Sequence, residues 1–193
     1  MTIRSLLALV ASLILGAAAA PAMAEPAPPA QDDGAPGLRV DAEVDPTAYV
    51  LNGYSLHVGV GHRRLRVDLG AFAMQIPAAI HGNEGFTQSF DGFGAKLQYF
   101  LFAEQRGGFV GIDGGLAHVL VQRNGTGLAS RQTQINVGVN AGWRFSIAAN
   151  LYATAWLGVG RALGADDVML GDARFDSQPW TVFPAIHVGY RFQ

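Results

Sequence analysis

Between residues 132 and 145 the chain alternates without a break. Thr133, Ile135, Val137, Val139, Ala141, Trp143 and Phe145 fall on one face, and Gln132, Gln134, Asn136, Gly138, Asn140, Gly142 and Arg144 on the other. A side-chain period of two is that of a β-strand. The same alternation recurs at 37–44, 50–60, 64–76, 87–101, 108–121, 150–160 and 180–192, which predicts about eight strands. No helical period is sustained in this region, and no run of about 18 apolar residues occurs after the first twenty or so positions. The connections at 61–63, 102–107 and 146–149 are short, whereas those at 77–86, 122–131 and 161–179 are long, with 45–49 as the first on the long side. Short turns alternating with longer loops are the mark of an antiparallel up-and-down barrel, all-β, with both termini at the short-turn end.

The two faces differ in chemistry. The apolar faces are expected to carry no Asp, Glu, Lys or Arg, since at mid-bilayer an Arg or Lys costs about 2–4 kcal/mol. The opposite faces hold Arg39, Asp41, Glu43, His57, Arg66, Asp68, Lys96, Asp113, Arg144 and His187. In an eight-stranded barrel the side chains fill the lumen, and buried charges must be paired. These ten residues therefore predict a polar network filling the interior. The competing reading, a gated ion path, has too little room. Tyr99, Trp143, Phe145, Tyr190 and Phe192 fall near the short-turn ends, and Tyr54 and Trp180 near the long-loop ends. Two aromatic girdles distinguish a transmembrane barrel from a soluble sandwich with the same alternation.

Composition sets the compartment. Arg4, the apolar stretch 6–20 and Ala22-Met23-Ala24 read as a cleavable signal peptide spanning 1–24. Residues 25–36, E-P-A-P-P-A-Q-D-D-G-A-P, read as a Pro-rich disordered linker, and 37–193 as one barrel domain. The 193 residues include no cysteine, so export brings no disulfides. Removing Arg4 with the signal leaves 12 basic and 15 acidic residues, which argues against nucleic acid as a partner.

The signal, the alternating runs and the closing V-G-Y-R-F at 188–192 together resemble the small OmpA/OmpX-like outer-membrane β-barrel superfamily of eight strands. The resemblance implies an antiparallel transmembrane β-barrel in the outer membrane of a Gram-negative cell envelope. It also implies contact with outer-membrane lipid and lipopolysaccharide, and a terminal aromatic strand read by the barrel-assembly machinery during biogenesis. Gln193 after Phe192 departs from that ending by one residue.

The expected role is structural or surface-interacting, with the outer loops, 161–179 above all, as contact surface. No catalytic, cofactor-binding or metal-binding residue is assigned, and no cofactor is expected. The alternatives are a lipid A-modifying enzyme of the outer membrane and a soluble periplasmic β-barrel binding an apolar ligand. A deacylase would show a His-x-Ser pair, but His118-Val119-Leu120 and His187-Val188-Gly189 lack the nucleophile. His81, Ser89 and Asp91 have the right types for a catalytic rim, but nothing fixes their geometry. Gly111 and Gly115 are expected to make room for large lumen side chains. Asn124-Gly125-Thr126 reads as a polar turn, and Asp166, Asp167 and Asp172 as a solvated acidic loop.

Overall fold

An extended strand satisfies its backbone only through neighbours, so a sheet with no edge needs its first strand to find its last. This sheet does so. The computed structural model describes residues 37–192; the expected signal peptide (1–24) and linker (25–36) lie outside them. In chain order the elements are β1 (Arg39–Val44), α1 (Pro46–Val50), β2 (Tyr54–His62), β3 (Leu65–Ile76), α2 (Ala78–His81), β4 (Phe86–Phe100), β5 (Gly107–Arg123), β6 (Ala129–Ser146), β7 (Leu151–Leu163), β8 (Val168–Leu170), β9 (Ala173–Phe175) and β10 (Trp180–Phe192). Eight of these strands form a closed antiparallel barrel in which β1 to β7 pair consecutively and β10 joins β7 to β1. The pairs Val40–Phe192, Ala42–Tyr190 and Val44–Val188 close the ring. The short first strand is thus a full member of the barrel, with β2 on its other side.

Alternation sets what faces where. Ile135, Val137 and Val139 are about half exposed on the outside of β6, while Gln134, Asn140 and Arg144 are buried on the inside. The glycines of the inner face let bulky side chains lie flat across the lumen. A Cβ on Gly59 would stand 2.3 Å from both Arg66 and Asp41, and one on Gly189 would stand 2.3 Å from the Tyr152 ring. A Cβ on Gly111 would stand 2.6 Å from the Leu97 carbonyl and 2.8 Å from Asn140 Oδ1, and one on Gly115 would stand 2.6 Å from the Phe93 carbonyl, so Gly111 serves both strand approach and side-chain room and Gly115 strand approach.

Three details depart from the sequence reading. The β5–β6 strands run on past their expected ends, so the loop between them shrinks to 124–128. The longest connection is not a plain loop, because it holds the β8–β9 hairpin, turned at Gly171 with φ +69°. Finally, the outward face is not free of charge. Asp91 points outward from β4 opposite His118 of β5, with a side-chain contact of 3.5 Å. Both lie on the long-loop side of their strand centres, and each is the other's polar partner on the outer wall.

The ring closure is directly testable in a chain without cysteine. Ala42→Cys with Tyr190→Cys places two thiols on paired positions, whose Cα atoms stand about 4.5–5.5 Å apart in an antiparallel ladder, within disulfide reach. Oxidation should give a cyclised chain whose mobility on a denaturing gel changes only without reductant. A chain that stays linear under oxidation would contradict the β1–β10 seam.

Candidate functional site in the lumen

The lumen has two storeys. The half nearer the short turns is filled by charge. Arg66 of β3 donates from Nη2 to Asp41 at 2.5 Å and from Nη1 to Gln98 at 2.9 Å. Its Nη2 also lies 3.0 Å from Asp68 and 3.3 Å from Glu43. Arg144 of β6 reaches Glu43 at 2.7 Å and Thr154 at 3.3 Å, and stacks over the Tyr152 ring at 4.2 Å. His187 of β10 donates from Nδ1 to Glu43 at 2.9 Å, and His57 of β2 does the same to Asp68 at 2.9 Å. Lys96 of β4 lies 3.3 Å from Asp68 and sits over Trp156 at 4.8 Å. Three carboxylates, Asp41, Glu43 and Asp68, therefore meet three cations, Arg66, Lys96 and Arg144. Matching is what makes such burial tolerable, because an unpaired charge in a dry interior costs several kcal/mol.

Below this layer Phe100 and Phe109 pack at 5.2 Å. Gln105, in the β4–β5 connection, folds under the barrel and donates to the Leu65 carbonyl at 2.9 Å. It is fully buried, so the short-turn end of the lumen is stoppered.

The other storey is a cavity of about 360 Å³, walled by Phe72, Met74, Phe90, Val119, Val121 and Phe183. Its floor is the top of the charge layer, where His57, Lys96, Trp156 and His187 border it. The expectation of a lumen filled throughout by polar and charged groups is corrected here, because this half is largely apolar. The β8–β9 hairpin roofs it. Val168, Leu170 and Phe175 pack with Phe86, Val119 and Val121 in one buried cluster. Asn83, just beyond α2, clasps Asp176 by two hydrogen bonds of 2.8 and 3.1 Å, and Gln178 donates to the His81 carbonyl at 3.3 Å. Arg123 pairs with Asp172, and Arg174 with Asp167 and Asp176.

Of the ten lumen residues read from sequence, Asp41, Glu43, His57, Arg66, Asp68, Lys96, Arg144 and His187 come together in the network. Asp113 does not join it. It borders the cavity and accepts from Asn140 at 2.7 Å, without an ion pair among the described residues. Arg39 lies half-buried at the short-turn end, also without an ion pair among the described residues. Sequence reasoning passed over Gln98, Thr154, Tyr152 and Trp156 as network members. Parity puts them inside, but their register against Arg66, Arg144 and Lys96 follows only from strand pairing. The hairpin had a usable signal, a Gly171-Asp172 turn between V-M-L and A-R-F, which is a hairpin dipeptide. The girdle residues Tyr54, Tyr99, Trp143, Phe145, Trp180, Tyr190 and Phe192 are all exposed on the outer wall. Trp143 stacks near Phe145, Tyr190 near Phe192, and Arg161 covers Trp180.

No catalytic rim assembles from His81, Ser89 and Asp91. His81 is buried and borders the cavity, whereas Asp91 is outside, in contact with His118. Burial holds the His81 imidazole below its ordinary pKa. Its Nδ1 accepts from the Asn83 backbone N–H at 3.1 Å, so the neutral ring carries its proton on Nε2. The loop carboxylates are tied up by partners. The Ser177 backbone N–H, followed by Arg174, holds Asp167 below the usual carboxylate range, and Arg123 does the same for Asp172. Among the described residues no group of three metal-ligating side chains forms.

Three solved structures are similar to this chain. Neisserial surface protein A aligns over 82% of this chain and 98% of its own, at 16% identity and TM-score 0.44. The N-terminal β-barrel domain of Pseudomonas aeruginosa OprF aligns over 80% and 96%, at 16% and 0.43. A major outer membrane protein from Thermus thermophilus aligns over 82% and 100%, at 14% and 0.46. These likenesses are remote, and the barrel stands on the closed hydrogen-bonded ring of the chain itself. No protein-family model matches the chain, and no curated protein sequence matches it.

Stability measurements test both storeys. Arg66→Met removes the cation shared by Asp41, Asp68 and Glu43, leaves Asp41 with Arg144 alone at 3.7 Å, and should cost about 3–5 kcal/mol. Gly59→Ala overpacks the same layer and should cost about 1–3 kcal/mol. Both are read as shifts of the urea unfolding midpoint of the reconstituted barrel, and a neutral Arg66→Met would show the layer to be dispensable. For the hairpin, Asp167 and Asp172 titrate below their unfolded value near 3.9. Their contribution is therefore complete above that pH and lost as pH falls through the lowered folded values. Exchange protection of amides 168–175, corrected for intrinsic rates, should fall in two stages, first below about pH 6.5 as the buried His81 against Phe175 resists protonation, then below about pH 4 as the two carboxylates are lost.

Proposed function

We propose that the protein is an integral outer-membrane β-barrel with a structural or surface-interaction role, closed to ion flow, and exported by the signal peptide read at 1–24. One observation carries this: the barrel is inside out relative to a soluble domain. Its largest fully buried side chain is Arg66, at 1% exposure, while Leu69 at 62% and Ile112 and Val139 at 59% stand on the outer wall. In water that wall would be an apolar patch far beyond what a soluble monomer leaves uncovered. Lipid removes the penalty, and the closed ring leaves no unpaired strand edge in hydrocarbon. The girdles of Tyr99, Trp143, Phe145, Tyr190 and Phe192 at one end, and Tyr54 and Trp180 at the other, suit the two interfaces. The charged plug under the cavity supports a role without a pore.

In this reading outer-membrane lipid and lipopolysaccharide meet the apolar wall. The barrel-assembly machinery engages the closing strand β10, and the loops 77–85 and 164–179 face outward as the contact surface.

Fractionation tests the location. The protein should stay with membranes after carbonate washing and migrate faster before boiling than after. Recovery of mature protein in the soluble periplasmic fraction would sink the proposal. Val139→Arg should lower the stability of the folded barrel in bilayers by about 2–4 kcal/mol. In planar bilayers the wild-type barrel should give no conductance steps.

A further inference from the structure

The cavity above the charge layer has features that filling the barrel does not require. Space for about a dozen water-sized groups at ~30 Å³ each is left open in a lumen that is otherwise packed. Its volume falls in the range of small-molecule sites, about 300–1,000 Å³, and its wall is apolar with a few converging polar groups. Two buried N–H groups on its lining, Trp156 Nε1 and His81 Nε2, have no hydrogen-bond partner among the described residues. Buried donors are seldom left so, because each forfeits about 1–3 kcal/mol. The two sit at different levels. Trp156 is at the floor, 5.6 Å from the His187 ring, and His81 is at the roof, 5.4 Å from Phe175.

The charges narrow the occupant further. Lys96 is the only lysine or arginine among the residues bordering the cavity, and Asp68 already neutralises it. Asp113 borders the cavity with no cation at ion-pair distance among the described residues, and Asp45 borders it as the cap of α1. An anionic head group would meet surplus negative charge. A cationic one would leave both N–H groups unmet and crowd Lys96 over Trp156. An uncharged oxygen escapes both penalties. It accepts from an indole or imidazole N–H, and a hydroxyl can also donate to Asp113 or to the Nε2 lone pairs of His57 and His187, whose Nδ1 protons are given to Asp68 and Glu43.

We infer that the cavity is a binding site for an uncharged amphiphile, with its alkyl body along Phe72, Met74, Phe90 and Val119 and its hydroxyl or carbonyl oxygen on the Trp156 N–H at the floor, the His81 N–H at the other end being free for a second oxygen where the ligand carries one. The β8–β9 hairpin, held by the Asn83 clasp and by Arg123 of β5 on Asp172 and the Leu170 carbonyl, borders its mouth through Phe175.

Two methionines make the test direct. Met74 lines the cavity at 5% exposure, while Met169 stands on the outside of the hairpin at 60%. The mature barrel, ¹³C-labelled at methionine methyls and placed in lipid nanodiscs, is titrated with 1-decanol, decyl sulfate and decyltrimethylammonium. The Met74 methyl should shift saturably with 1-decanol while Met169 stays still, and the two charged probes should bind at least about tenfold more weakly. Trp156→Phe keeps the ring and removes the N–H, and should weaken 1-decanol by about tenfold, the worth of one unmet donor. Ala117→Trp, or Ala162→Leu if the first variant loses its heat-shifted mobility, fills the space and should abolish the Met74 shift. The inference is overturned if Met74 does not move, if Met74 and Met169 drift together without saturating, or if either charged probe binds as well as the alcohol. A barrel that fractionates with membranes yet fails this titration loses the site and keeps its location.

Discussion

Everything in this molecule follows from the closure of one sheet. Eight strands of modest length have no helical or loop partner to cover their edges, so β1 must meet β10. Once they do, the two faces of every strand are assigned together, because a one-residue slip anywhere would turn a whole strand inside out. The ring also fixes the radius. With eight strands the interior is about as wide as the side chains that fill it, so inward residues must interlock across the lumen. That is why Gly59 lies beside Arg66 and Asp41, and Gly189 beside Tyr152. A bare backbone on one strand is the seat for a long side chain from another.

The charge layer is better understood as a stopper than as a source of stability. Buried ion pairs repay their desolvation only when every lone pair finds a donor, and an apolar filling of the same shape is often as stable. What charges do here that leucines would not is keep the inward face distinct from the outward one. A strand whose two faces were both apolar would have no register preference in a bilayer. Asp41, Glu43, Arg66 and Asp68, from two strands that share β2 as neighbour, lock β1, β2 and β3 in a single alignment. Arg144, reaching from β6 to Glu43, ties the opposite wall to the seam.

Much of the wall was legible in the sequence, and little of the lumen's division. Period-two alternation reports which residues share a face, so Val137 and Arg144 on opposite faces could be read from 132–145 alone, while which of the two points outward could not. It does not report height along the axis. Val119 and Val121 have the same parity as Asp113, yet they line an apolar cavity because β5 climbs past the charge layer towards the loops. The outward Asp91 shows the same blindness. Parity placed it on the apolar face, and only its height, opposite His118, makes the charge tolerable. The hairpin 168–175 escaped because three-residue strands are too short to show a period.

Height also determines how the two storeys share the interior. Charges in the lower storey satisfy one another across the lumen. The upper storey is enclosed mainly by apolar contact, and its roof comes from a connection, not from the ring. Opening the roof would expose Val168, Leu170 and Phe175 and release the Arg123 and Gln132 side chains from the Leu170 and Asp166 carbonyls, but it would leave the strand-to-strand ladder of the barrel intact. Local opening is drawn from such low-stability elements. The barrel can therefore present a changing mouth while its wall and stopper stay fixed, an arrangement in which binding at the outer end need not threaten the seal beneath it.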